Sequence, residues 1–257
     1  MLDIKVPLKS AIMPLYSELI NKVNSEEELG VFCAQWGDKF PINEENGILF
    51  VGKASNGWHG NTKTPIDVLF GEVLSEYDDD LVFAREDQIY WVKQCEGNRD
   101  GYYNSNRSSF WMLIKEVYKN LFWMLIKEVY KNLLLGDEWY KHVAWTNLYK
   151  IAPKESGNPK SKLIKEQKDL CKKILIKEIE VFSPRFVVFL TSNWEKDFVV
   201  DIFDTSKEKA RELVWDNGNR KINYYKVNGI TYIFTVHPQG KPRVEHAKSI
   251  CKIMKEG

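Results

Sequence analysis

The sequence predicts an α/β fold, a three-layer α/β/α sandwich with a mainly parallel central sheet and an antiparallel edge hairpin. Three observations carry that expectation. Short continuous apolar runs such as Ile48–Val51 and Phe186–Leu190 suit strands buried on both faces. Helical patterns separate those runs, the alternation that builds a parallel sheet covered by helices. Asn228-Gly229 sits between two further strand-like runs and reads as a two-residue hairpin turn, because both central residues must adopt positive φ.

In chain order, residues 8–37 read as helical, with Ile12, Leu15, Leu19, Ile20 and Val23 in series and a second piece around Leu29–Trp36. Pro14 falls near the start of the first piece, where a missing N–H is tolerable. The expected parallel strands are Ile48–Val51, closed by Gly52, then Val143–Leu148, then Phe186–Leu190 entered through Ser183-Pro184, then Ile230–Val236. Residues 222–227 form the antiparallel partner of the last. Helices are expected over 108–135, 160–182, 193–203 and 243–255. Residues 110–121 and 122–133 both read FWMLIKEVYKNL. Twelve residues turn an α-helix by about three turns plus 120°. The two copies therefore face different ways, and Trp123 falls in the polar arc of Lys115, Glu116, Lys119 and Asn120. The repeat reads as a tandem duplication inside a helix, or an error in the recorded sequence.

A chain of 257 residues is long enough for one large core, so a single domain over 1–257 is expected, with 1–40 as its N-terminal helical segment. The 37 basic and 36 acidic residues leave a net charge of +1, which excludes a non-specific nucleic-acid coat; any nucleic-acid contact must rest on a local patch. No apolar run reaches 18 residues, so no membrane span is expected, and the first segment lacks the pattern of a signal peptide. Cys33, Cys95, Cys171 and Cys251 stand far apart without a CxxC pair, which argues against zinc or an iron–sulfur cluster. Four buried free thiols in a reducing cytoplasm is the simplest account. No metal and no cofactor are expected.

Ligands of parallel sheets bind outside the carboxyl ends of the strands. Three such ends stand out: Gly52-Lys53-Ala54-Ser55-Asn56-Gly57-Trp58, Thr146-Asn147, and His237-Pro238-Gln239-Gly240. Singly, each has an ordinary reading as a turn glycine, a turn asparagine and a structural His-Pro loop. Their joint order, each after an expected core strand, gives them weight.

With these motifs in this order the sequence resembles the uracil-DNA glycosylase superfamily. ILFVGKASNGW is similar to its first motif, VAWTNLYKIAP to its middle motif (especially in the iron–sulfur-bearing thermostable branch), SPRFVVFL to its third core strand and TVHPQGKPRVEHA to its His-Pro motif. The resemblance spans roughly residues 40–255, with about thirty diagnostic positions. It implies a flipped nucleobase read on its Watson–Crick edge. Asn147 matches the base-reading amide, with one donor and one acceptor for the carbonyl and N–H of uracil. His237 matches the donor that stabilises the departing base anion, and Pro238 and Gln239 the loop approaching the DNA backbone. Gly52, Lys53, Ala54, Ser55 and Trp58 complete the implied binding site.

The sequence departs from the family where a first-motif carboxylate or amide would position water. Lys53 and Ala54 stand there, and Ser55 occupies a frequent proline position. The branch with the closest middle motif also carries four cluster cysteines that are lacking here. At the stacking position Thr64-Pro65-Ile66 offers an isoleucine, with Trp58 and Phe70 as substitutes. Asp38, Glu44, Glu45 and Asp67 are the acids nearest in sequence to the first motif. Three readings stay open. One is a DNA N-glycosylase, acting on single- or double-stranded DNA. Another is a non-catalytic nucleic-acid or nucleobase-binding relative. The last is an unrelated α/β binding protein.

Lys53 has two readings, a phosphate contact or imine-forming amine and a solvated or ion-paired lysine. Lys154, Lys160, Lys162, Lys165 and Lys168 form a basic stretch that suits phosphates or a solvated face. Asn98–Ser109, with Arg99, Tyr102, Tyr103 and Arg107, reads as a single-strand contact or a surface loop. Glu76–Asp80 reads as a solvated turn rather than a Ca²⁺ loop. His59, His142 and His246 have no metal or triad spacing, and His246 falls on the last helix.

Overall fold

The computed structural model describes residues 4–23, 25, 27–41, 47–58, 60–73, 81–84, 89–99, 103–126, 138–203 and 208–256. Its central sheet has seven strands in the order β2 (Gln35–Trp36), β4 (Val143–Asn147), β3 (Ile48–Gly52), β6 (Phe186–Leu190), β9 (Ile230–Thr235), β8 (Arg220–Val227), β7 (Arg211–Trp215). β4, β3, β6 and β9 run parallel, as their apolar runs predict, and every residue of β3, β4 and β6 is buried. β8 pairs antiparallel with β9 across Asn228 and Gly229, at φ +50° and +81°, the positive-φ turn read from the sequence.

Alternate residues of β3 feed two cores. Leu49 and Val51 join the layer of α1 (Lys5–Lys22), α5 (Ser161–Phe182) and α6 (Lys196–Ile202). Ile48 and Phe50 join that of α3 (Tyr90–Gln94), α4 (Ser109–Ile126) and α7 (Arg243–Glu256). One short further helix, α2 (Ile66–Leu69), lies between β3 and α3 in the chain. The result is the expected three-layer α/β/α arrangement.

The N-terminal reading needs correction. Helix α1 ends at Lys22, and Leu29–Trp36 is not helical: Leu29–Val31 (β1) pairs antiparallel with Ile151–Pro153 (β5) in a separate two-stranded sheet, and β2 edges the main one. Both strands are fully buried, so their unbroken apolar run carries no period that separates strand from helix. Because α1 begins at Lys5, Pro14 lies inside the helix rather than at its start, and costs α1 one backbone hydrogen bond. β7 adds a strand that the sequence reading did not include; it is largely exposed, with only Trp215 buried, so it lacks the long buried apolar run of the central strands.

Helix α4 runs unbroken from the first copy of the repeat into the second. The first copy buries Trp111, Leu113, Ile114 and Val117. The side chain of Trp123 and residues 127–133 lie outside the described part, as do Glu76–Asp80, Glu44, Glu45 and His59. No helix among the described residues is long and apolar enough to cross a membrane.

Candidate functional site

The strand order reverses at β3, which has β4 on one side and β6 on the other. Such a reversal opens a crevice at the carboxyl ends of the strands. Gly52 is in register with Asn147, and the pairing continues past both strands through Leu148 N–H to Gly52 O (2.9 Å) and Tyr149 N–H to Lys53 O (3.0 Å). The loop that follows is clamped from outside: Asn56 Oδ1 accepts from Gly157 N–H (2.8 Å) and Trp58 N–H donates to Lys154 O (3.3 Å). Gly57 makes this possible, at φ +77° and with its α-carbon so close to the Glu155 carbonyl that a Cβ would collide with it.

On this rim lies a cavity of about 780 Å³. Its lining brings together Gly52, Lys53, Ala54, Ser55, Trp58, Asn147, His237 and Gln239, separated in sequence by up to 187 positions, from 52 to 239. Pro238, buried between His237 and Gln239, is not part of the lining. Asn147 is 1 % exposed, and its amide oxygen packs against the α-carbon of Gly52. Three buried polar atoms of the lining residues, Asn147 Nδ2, Trp145 Nε1 and Ser55 Oγ, have no hydrogen-bond partner among the described residues. Buried polar groups are normally paired, so these three atoms leave hydrogen-bonding capacity unused beside the cavity.

Asn147 is held from behind by a fully buried ion pair. Lys150 Nζ donates to the Asn147 carbonyl (2.8 Å), to Thr146 Oγ1 (2.6 Å) and to both Glu178 oxygens (2.9 and 2.7 Å), with both charged side chains 0 % exposed. Burial holds the Glu178 carboxyl above the usual carboxylate range, opposed in part by the Lys150 ammonium and the Thr146 hydroxyl. Gln167 Oε1 accepts the backbone N–H groups of Lys150 and Ile151 (3.2 and 3.0 Å), which locks the turn after β4.

His237 is positioned by its backbone, whose N–H donates to Ser192 Oγ (2.6 Å) in the turn after β6, where Ser192 and Asn193 both take positive φ. Its ring Nδ1 accepts from Gln239 N–H at 3.4 Å. Burial first, then the Lys53 and Lys241 charges, hold the imidazole below the usual histidine range. The ring is therefore neutral near pH 7, and with Nδ1 accepting, its proton belongs on Nε2.

Sequence reasoning missed most of the cavity wall. Trp91, Tyr103, Phe110, Trp111 and Trp145 join Trp58 around it, with Trp58–Trp145 and Trp111–Trp145 edge contacts at 5.4 and 4.8 Å. Phe110 comes closest to Gly52. Its signal was available in the first repeat copy, but nothing local joins residue 110 to the strand ends. Of the expected stackers, Trp58 is at the cavity. Ile66 and Phe70 are not, because α2 turns into the opposite core, where Phe70 stacks on Phe83 at 5.1 Å.

No carboxylate lines the cavity among the described residues, Asp38 and Asp67 included. Glu195 acts on Lys53 electrostatically, but its carboxylate accepts the Thr191 hydroxyl. At the mouth, Tyr103 and Arg107 of the aromatic–basic loop line the cavity. From the lysine-rich stretch Asn158 lines the cavity but none of the lysines does, and most of these are paired: Lys154 with Glu28 (3.3 Å), Lys160 with Glu27 (3.8 Å), Lys162 with Glu166 (3.8 Å) and Lys168 with Asp197 (3.0 Å). No cluster of three or more potential metal ligands occurs among the described residues. No family model and no curated protein matches this chain.

Proposed function

We propose that this chain binds a flipped nucleobase, uracil or a related base, of a DNA strand in the cavity between Gly52, Asn147 and His237. The observation that carries this reading is Asn147, whose buried Nδ2 has no partner among the described residues, in the lining of an aromatic-walled cavity beside a neutral histidine. Flat, apolar walls suit a base's π-face, and an amide suits its hydrogen-bonding edge. Lys53, His237 and Arg107 without a carboxylate make the lining receptive to phosphate oxygens. The free cysteines support a reducing, cytoplasmic setting: Cys33, Cys171 and Cys251 are buried, and burial pushes their thiols up to about 12, whereas Cys95, expected to be buried too, is only partly so because it lines the cavity.

Binding is the primary reading because, among the described residues, the lining offers no carboxylate to activate water, a contribution of ~10²–10⁴-fold in rate. Hydrolysis of the N-glycosidic bond is the second reading, favoured by the Nε2 proton of His237, which would stabilise the departing base anion. The test pairs two measurements on uracil-containing single- and double-stranded DNA. Fluorescence anisotropy should give uracil-dependent binding that weakens by about tenfold or more in Asn147→Ala. Single-turnover base release should be absent or slow and fall further in His237→Ala. Equal affinity for uracil-free DNA would refute base recognition; fast release would replace binding by catalysis as the function.

A further inference from the structure

Lys53 lines the cavity at the end of β3, and the base-binding reading uses only its charge. Its side chain is half-buried, leaves the end of β3 directly after Gly52, and places Nζ 4.9 Å from the Trp194 ring centroid. It makes no ion pair among the described residues. Glu195, whose charge reaches it, is buried and already accepts the Thr191 hydroxyl. Lys53 and His237 are near enough that the lysine charge weighs on the imidazole. The lysine head group thus rests over an indole beside a cavity that no carboxylate lines among the described residues. Desolvation is a condition that turns a lysine into an amine nucleophile toward carbonyl carbon, and partial burial at the cavity supplies it to Lys53.

We infer that Lys53 forms an imine with the aldehyde carbon of an abasic deoxyribose carried in a DNA strand. This rests on the reading that the cavity receives a nucleotide extruded from DNA. The ligand differs only in lacking the base, so its open-chain sugar brings C1′ to the rim. The neutral Lys53 amine adds to C1′, the C–N bond forms as the carbonyl π-bond breaks, and the oxygen takes a proton to give a carbinolamine. Loss of that hydroxyl as water and of one proton from nitrogen leaves C=N, so one water is released and nothing is oxidised or reduced. His237, with a proton on Nε2, serves as the acid for the departing hydroxyl and the base for the nitrogen proton. Burial, opposed by the Glu195 charge, lowers the Lys53 ammonium below the usual lysine range and enlarges the neutral fraction the addition needs.

The test treats the full chain with sodium borohydride and a single-stranded oligonucleotide carrying one preformed abasic site, so that no base release is required. Intact mass spectrometry should give a one-to-one reduced adduct, and peptide mapping should place it on Lys53. The adduct should disappear in Lys53→Ala and in Lys53→Arg, the latter keeping the charge that contacts the strand. Free 2-deoxyribose under the same conditions should label at least tenfold less. Absence of an adduct, mapping to other lysines, or equal labelling by free deoxyribose would each overturn the assignment. Uracil-dependent binding without borohydride is measured separately, so a failure here with that binding intact leaves the base-binding reading standing.

Discussion

The side-chain oxygen of Asn147 occupies the space in which a Cβ on Gly52 would stand. The glycine at the end of β3 thus sets the position of the amide at the end of β4, and the 52↔147 register of the parallel pair brings them face to face. Gly52 is required here for close approach rather than for a turn, since its φ is not positive.

Gly52→Ala should therefore act on the ligand more than on the fold. The added methyl meets a movable amide rather than backbone, so it displaces Asn147 and presses toward Phe110. We expect oligonucleotide affinity to fall about 10–100-fold, the loss of one or two well-placed hydrogen bonds at ~1–1.5 kcal/mol each. Thermal melting should shift by only a few degrees. Affinity equal to the parent would mean that the Asn147 amide does not read the ligand.

The Lys150–Glu178 pair should answer differently to one substitution than to two. Lys150→Met alone leaves the Glu178 carboxylate buried without its cation, and chemical denaturation should report a loss of about 3–5 kcal/mol. Lys150→Met with Glu178→Leu removes both charges and should recover most of it. The double variant also deprives the Asn147 carbonyl of its donor, so a refolded protein with weakened ligand binding is the expected result. Full binding in that variant would show that the pair supports only stability.

Stability should decline in acid through His246. This residue is fully buried on α7, stacked on Trp215 at 4.4 Å, with Nε2 2.8 Å from Thr235 Oγ1. Burial is the main cause that lowers its pKa to about 3, with Arg220 and Lys241 adding to it. Unfolded, the ring titrates near the ordinary histidine value of about 6.5. Below that pH the unfolded state binds the proton and the native state does not, so stability falls by up to about 1.4 kcal/mol per pH unit until native His246 titrates near 3. Urea melts between pH 7 and 4 should resolve this slope, and His246→Asn should flatten it. An unchanged slope would place the acid sensitivity elsewhere.

Removal of residues 122–133 should leave a folded protein. The described core contacts of α4 come from the first copy, through Trp111, Leu113, Ile114 and Val117, and Cys251 of α7 meets the carbonyl of Val117 at 3.4 Å. Deletion also restores a single amphipathic register. Circular dichroism and oligonucleotide binding should match the full chain, whereas loss of folding would show that the second copy is structurally required.

What the sequence by itself determined is the arrangement whose signals are local. Unbroken apolar runs specify strands buried on both faces, Asn228-Gly229 specifies the β8–β9 hairpin, and motif order puts Gly52, Asn147 and His237 at strand ends that a parallel sheet gathers on one rim. Only the tertiary structure decided the rest. Leu29–Val31 and Gln35–Trp36 are strands because β5 and β4 offer them edges, a preference that a short apolar run does not encode. The cavity wall comes largely from α3, α4 and the loop between them, and three lysines of the basic stretch are neutralised by distant acids, Lys154 and Lys160 by Glu28 and Glu27 and Lys168 by Asp197 on a following helix. Likewise Lys150 reads as one more surface cation until the fold seals it with Glu178 beneath Asn147. Strand and turn propensities act between near neighbours, whereas ion pairs, ring contacts and the absence of a carboxylate at the cavity depend on which distant segments the packed core brings within a few ångströms.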